Sequence, residues 1–179
     1  MSEITEIVVH GRGGGGVVSA GYMLAVAAFY DGKQSQAFPM FGLERSGSPV
    51  ASYVRISRNK IDLRSQIYEP DYAIVMDSTL IGNVDVESGV REAIILNSKR
   101  PIHLKPKTFI ADVSKFNDPI GNITMVACFA KCTGIISRES LIRSVEDIFS
   151  KKGEEIVSRN KKIINDVFAE KTCPLELKR

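Results

Sequence analysis

An α/β fold, three-layered, with a mostly parallel sheet and C-terminal helices, is predicted by three features of this 179-residue sequence. A glycine cluster, GRGGGG, separates a short β-branched run from an apolar segment of helix length. Three later apolar runs each end in a polar residue, Asp77, Asn97 or Asp112, the pattern of buried parallel strands whose C-terminal ends face a crevice. The last third of the chain carries apolar residues at helical spacing. Strand, glycine turn and buried helix in that order make the arrangement Rossmann-like.

In chain order, residues 4–10 read as a buried strand, rich in Ile and Val with the β-branched Thr5, and the glycine cluster stops it. The next segment, Val17–Tyr30, is apolar nearly all round, so it predicts a helix buried between a sheet and a further layer. Ser19, Ala20 and Gly21 let that helix lie close to the sheet. Asp31-Gly32-Lys33 places a glycine where a left-handed helix end favours one. Residues 34–38 follow as a second strand, giving a βαβ opening. The stretch PMFGLERSGSP, residues 39–49, has prolines at both ends and reads as a long loop with a task of its own. Residues 50–57 alternate as a strand, with Ala51, Tyr53 and Arg55 on one face and Val50, Val54 and Ile56 on the other.

Residues 61–67 predict a hairpin partner or edge strand. Short strands are expected at 72–76, 93–96 and 108–111, with crossover helices over 84–91 and Asn122–Thr133. Two more helices follow over Arg138–Phe149 and Glu154–Ala169, the latter placing Ile156, Val157, Ile163, Ile164, Val167 and Phe168 at helical spacing. One domain over residues 4–170 and a loose tail over 171–179, containing Pro174, complete the expectation.

Composition narrows the function. Hydrophobic residues make up 44% and charged residues 25%, with a net charge of only +3, so neither disorder nor a nucleic-acid footprint is indicated. No leader-like apolar region and no membrane-length apolar run is present, which points to a cytoplasmic chain that works away from membranes. The three cysteines, Cys128, Cys132 and Cys173, contain no CxxC pair, so neither a disulfide framework nor an iron–sulfur cluster in this chain is expected. Cys128 and Cys132, four apart, read as packing residues.

The glycine cluster is the strongest local motif. Gly11, Gly13 and Gly16 satisfy GxGxxG between a strand and a helix. In that motif Gly11 permits the tight turn, Gly13 opens the backbone N–H groups to a phosphate, and Gly16 lets the helix approach its strand. Packing alone is the competing explanation. A nicotinamide site needs an acid at the end of the second strand, where this chain has Pro39 and Met40. No GxxxxGK[ST] loop is present either. His10 and His103 lack metal-ligand neighbours and read as structural, and Ser46 and Ser48 lack the setting of a hydrolase nucleophile. Neither catalytic residues nor a metal site is therefore assigned to this chain.

The run HGRGGGGVVSAGYMLAVAAFYDGKQSQAFPMFGLERSGSPVASYVRIS, followed by IDLRSQIYEPDYAIVMD and GNITMVACFAKCTGIIS, resembles the gamma subunit of pyruvate and related 2-oxoacid:ferredoxin oxidoreductases. The resemblance covers residue 7 to about residue 168. Its most specific parts are the glycine loop with its buried helix, QAFPxFGxER at residues 36–45, and RSQIYEPDY at residues 64–72. Two departures stand out: Gly15 replaces a usual Gln, and Ser46 replaces a usual second Arg.

The resemblance implies a complex that oxidatively decarboxylates a 2-oxoacid, pyruvate first, to an acyl-coenzyme A and passes electrons to ferredoxin. It implies thiamine diphosphate and Mg²⁺ between alpha and beta subunits, and 4Fe–4S clusters in the beta and delta subunits, with no cofactor in the gamma chain. The gamma chain is then a structural subunit that contributes to coenzyme A binding. Gly11, Arg12, Gly13, Gly14, Gly16, Glu44 and Arg45 are the candidate coenzyme A, phosphate or subunit contacts. An isolated chain is expected to be inactive and to self-associate through an exposed partner surface. The rival readings are a stand-alone dinucleotide-binding oxidoreductase and a plain interaction module.

Overall fold

The computed structural model describes residues 4–40, 47–172 and 174–177. Its strands are β1 (Ile4–Arg12), β2 (Gln34–Met40), β3 (Pro49–Ser57), β4 (Tyr72–Val75), β5 (Ala93–Asn97), β6 (Lys107–Ala111) and β7 (Leu175–Glu176). Its α-helices are α1 (Val17–Tyr30), α2 (Asn122–Thr133), α3 (Arg138–Phe149) and α4 (Glu154–Ala169). The strands form one sheet in the order β2-β3-β1-β4-β5-β6-β7. From β1 through β4 and β5 to β6 the pairing is parallel; β3 is antiparallel to both β1 and β2, and β7 is antiparallel to β6. The sheet is therefore mixed, with a parallel block at its centre.

Period-two alternation sorts each central strand between two cores. Ile7, Val9, Ile74 and Ile95 face the helices. Val8, Val75, Ile94 and Leu96 face the opposite side. On the helical side α1 and α2 lie on the sheet, α3 packs on α1, and α4 packs on α2 and α3. The three layers are thus stacked in series as sheet, inner helices and outer helices. This explains why α1 carries no charged residue and still buries Ala20, Met23, Leu24, Ala27 and Ala28: sheet and helices enclose it from both sides. Gly21 permits the closest contact, since a Cβ there would lie 2.3 Å from Ser52 Oγ.

Three sequence expectations are corrected. The βαβ opening is parallel in direction, but β3 inserts between β1 and β2. Residues 61–67 form no strand; their backbone is held by side chains instead, with Gln36 Nε2 donating to Ile61 O at 3.2 Å and Arg55 Nη2 donating to Ser65 O at 2.8 Å. The expected helix over 84–91 is irregular, because Asp85 turns the chain by accepting the N–H groups of Glu87 and Ser88, and Gly89 adopts φ +73°. Within the tail, Leu175 and Glu176 pair with Ile110 and Phe109.

Among the described residues no α-helix lies on the second face; irregular segments cover it, and Arg55 anchors them. Its side chain is 1% exposed and lies directly across from Glu6, with Nε 2.8 Å from Glu6 Oε1. Arg91 in turn joins Glu6 at 3.7 Å and Asp71 at 3.1 Å, and Asp71 accepts the Glu6 N–H at 2.8 Å. Two cations and two anions share one network, buried at Arg55 and open to solvent at Arg91. Replacing Arg55→Met leaves Glu6 and the Ser65 carbonyl short of a partner, and about 3 kcal/mol of unfolding free energy is expected to be lost in a urea titration. The Glu6→Gln, Arg55→Met double variant should recover most of that loss; a single-variant effect below about 1 kcal/mol would show the pair to be no stronger than a surface bridge.

Candidate functional site

The C-terminal ends of the parallel strands enclose a cleft of about 750 Å³, within the usual range of small-ligand sites. Arg12 comes from the end of β1 and Gly15 from the turn after it, Asp77 from the end of β4, Asn97 to Arg100 from the end of β5, and Asp112 from the end of β6. Met76, Ile102, Val113 and Ile120 supply apolar lining. The polar strand ends expected to face a crevice do so.

Each of those strand ends is locked locally. Asp77 accepts the Thr79 N–H at 2.9 Å and Asp112 accepts the Ser114 N–H at 3.1 Å, so the same Asx turn ends β4 and β6. Asn97 bridges them: its Nδ2 donates to Met76 O at 2.9 Å, and its Oδ1 accepts the Val113 N–H at 3.4 Å. Burial raises the Asp77 carboxyl, but hydrogen bonds from Thr79 and the Arg12 guanidinium outweigh that and hold it below the usual carboxylate range.

The glycine loop does not divide its roles as the motif suggests. Gly11 lies within β1 and is the close-packing glycine, for a Cβ there would fall 2.4 Å from Val17 Cγ2. The left-handed turn falls at Gly14, φ +84°, and Gly16, φ +75°; Gly16 also faces Ile120 and Asn122, which a Cβ would meet at 2.8 and 2.9 Å. Gly13, expected to open its N–H to a phosphate, donates instead to Ser48 O at 2.8 Å, and Gly15 donates to Arg12 O at 2.8 Å. What remains for a ligand is the first turn of α1, which has no side-chain cap and no acid, and whose N–H groups lack intrahelical acceptors.

Arg12 is similarly engaged. Its Nε meets Asp77 Oδ2 at 2.7 Å, Nη2 donates to Thr79 Oγ1 at 2.7 Å, and Nη1 donates to Gly47 O at 3.1 Å. It ties the glycine turn to the start of β3 and to the end of β4. Glu44, Arg45 and Ser46 lie outside the described residues. The sequence reading missed Lys99 and Arg100, which stand exposed at the cleft rim and form no ion pair among the described residues. Their signal was the basic pair directly after the polar end of β5.

Elsewhere, Cys128 is buried, and burial pushes the half-buried Cys132 thiol up to about 12. Both belong to the core helix α2. Cys173 lies outside the described residues. His103 is exposed, whereas His10 is largely buried on the helix-free side of β1. Among the described residues no group of three or more His, Cys, Asp or Glu could hold a metal ion, and no helix is long and apolar enough to cross a membrane.

The fold is that of a Rossmann-like chain whose cleft lies at the C-terminal ends of a parallel block. The chain belongs to the pyruvate ferredoxin/flavodoxin oxidoreductase family, whose model matches residues 6–170. It is 48% identical over 155 residues to the pyruvate synthase subunit PorC of Methanocaldococcus jannaschii, covering 82% of this chain and 87% of that one. It is 39% identical over 187 residues to the common gamma subunit of the pyruvate/ketoisovalerate oxidoreductases of Thermococcus litoralis, covering 96% and 99%. The crystal structure of the pyruvate oxidoreductase subunit PORC of Thermotoga maritima superposes with a TM-score of 0.81 at 27% identity, over 94% of this chain and 97% of that one.

Two measurements test the site's construction. Gly16→Ala combines left-handed strain with a close contact and should cost about 2 kcal/mol of stability, whereas Gly14→Ala, whose Cβ would meet nothing within 4 Å, should cost about 1 kcal/mol; equal costs would remove the packing role. His10 has its imidazole lowered by burial, against the pull of Asp85, from 6.5 to about 4. The unfolded chain therefore binds a proton below pH 6.5 that the folded chain refuses until about pH 4. Stability should fall across that window by at most about 3 kcal/mol, and His10→Gln should flatten that limb of the pH–stability curve.

Proposed function

We propose that this chain is the gamma subunit of a cytoplasmic 2-oxoacid:ferredoxin oxidoreductase, with pyruvate as its substrate, and that its cleft helps to hold the anionic end of coenzyme A. Alpha, beta and delta chains complete the complex and carry thiamine diphosphate, Mg²⁺ and the 4Fe–4S clusters. Decarboxylation and electron transfer to ferredoxin belong to those chains, and this one binds and orients.

The observation that carries the reading is the kinship to pyruvate synthase and common gamma subunits along nearly the whole chain. The cleft supports the coenzyme A part. Its apolar lining suits an extended pantetheine arm, while Lys99 and Arg100, without an ion pair among the described residues, and the uncapped start of α1 suit phosphate groups. Arg12, Gly13 and Gly15 hold the turn in place, and Gly11, Gly14 and Gly16 shape it; Glu44 and Arg45 are kept as subunit contacts. The stand-alone dinucleotide reading is weakened by topology. The strand beside β1 on that flank is the antiparallel β3, so a ribose-binding acid at the end of β2 would stand one strand too far away.

The test is anaerobic isolation of the tagged chain from its native cells. Co-elution of a thiamine-binding pair and a ferredoxin-like chain, with coenzyme A-dependent oxidation of pyruvate, is expected; a solitary chain at every salt concentration would overturn the subunit reading. In the complex, the Lys99→Glu, Arg100→Glu double variant should raise the KM for coenzyme A about tenfold while the KM for pyruvate stays within about twofold. A change in the pyruvate KM alone would remove the cleft from coenzyme A binding.

A further inference from the structure

On the helix-free face a second cavity of about 110 Å³ opens beside Tyr68. Its floor is apolar, with Val8 and Val86, and its walls include His10, Tyr53, Tyr68 and Asp85. At roughly 30 Å³ per water molecule, this space suits the head of one side chain.

The walls are fixed. Tyr53 stacks on Phe38 with ring centroids 5.6 Å apart, and its hydroxyl lies 3.6 Å from Met40 Sδ. Asp85 Oδ1 accepts the N–H groups of Glu87 at 3.2 Å and Ser88 at 2.9 Å, which aims the carboxylate. Gly89, at φ +73°, lets the two lining segments touch, since a Cβ there would lie 2.7 Å from Tyr68 O and 3.1 Å from Glu69 Cα. Tyr68 nevertheless stands 76% exposed, a large aromatic ring left facing outward at the mouth.

Asp85 is the one charged group lining this cavity and forms no ion pair among the described residues. His10, lowered to about 4 by burial, is uncharged at neutral pH and repels no cation. Phenol faces beside a carboxylate attract a cation, and an apolar floor accepts the methylene stem behind it. A neutral ligand would cover the carboxylate without pairing it, at a desolvation cost.

We infer that this pocket receives a lysine or arginine side chain from another chain of the same complex. The inference rests on the subunit reading proposed above and adds a docking point on the face of the sheet that no helix covers.

The test measures the affinity of the tagged chain for its co-purified partner chains, with wild type and the variants Asp85→Asn and Tyr68→Ala. Asp85→Asn keeps an oxygen for the Glu87 and Ser88 N–H groups, so an unchanged Tm is the check that it folds. Each variant should raise the dissociation constant about tenfold, and Asp85→Lys should do so further. If wild type assembles and Asp85→Asn binds within about twofold of it, the cation pocket is wrong, whatever Tyr68→Ala does. If wild type captures no partner at all, the subunit reading fails and this inference falls with it.

Discussion

Arg55 is a charged side chain buried in a sheet, and much of the second face is organised to satisfy it. A guanidinium out of water is tolerated only with a carboxylate and further acceptors in place. Glu6 supplies the carboxylate from the adjacent central strand, the Ser65 carbonyl supplies a further acceptor, and the Phe38 ring lies 5.4 Å from the guanidinium carbon. Because Glu6 and Arg55 are direct cross-strand partners, the pair also fixes the β1–β3 register, in which a one-residue slip would separate them. Irregular backbone is thereby held where a parallel sheet ordinarily places a helix.

On the other side of the same strand the governing constraint is steric. Gly11 admits Val17, and Gly16 admits Ile120 and Asn122, so α1 and α2 meet the end of β1 at contact distance. Those contacts draw the strand ends into one cleft, and Arg12 ties the turn to Asp77 and Gly47. The charges are divided accordingly. Arg12 and Asp77 neutralise each other within the frame, while Lys99 and Arg100 stand outside it at the rim. An anion entering the cleft therefore meets, at its rim, two cations that form no ion pair among the described residues.

Legibility in the sequence followed the range of the interactions. The four helices were readable to the residue because local patterns mark them: the apolar run of α1 between the glycine cluster and Gly32, the room for a crossover at α2, and the helical spacing of apolar residues in the last third of the chain. The strand ends at Asp77, Asn97 and Asp112 were readable because an apolar run stopped by a polar residue is a local pattern. The position of β3 between β1 and β2 was not, because strand order is set by long-range pairing such as Glu6 with Arg55. The segment 84–91 misled because the gap between two parallel strands has room for a crossover helix, whereas Asp85 and Gly89 turn the chain there and Val84, Val86 and Val90 cover the sheet without one. The glycine motif marks the turn beside the cleft but not the part each glycine plays, since a sequence pattern does not record that the Gly13 N–H is donated to Ser48 O.

Strand β1 connects the two recognition features. His10 faces the aromatic pocket on the helix-free side, and Arg12, two residues on, helps to line the cleft at the strand end. Strand β1 pairs with β3 from Ile4 to Arg12 and with β4 from Ile7 to His10, and is buried through Ile7, Val8 and Val9. Two sites two residues apart on so firmly held a strand have little freedom relative to each other. A partner chain anchored at Asp85 and Tyr68 would therefore fix where the cleft lies with respect to that partner's own chemistry. On the function proposed above, such fixed placement is a route to influence the reaction of the complex: it reduces the orientational freedom a ligand held in the cleft would otherwise lose at the reacting centre.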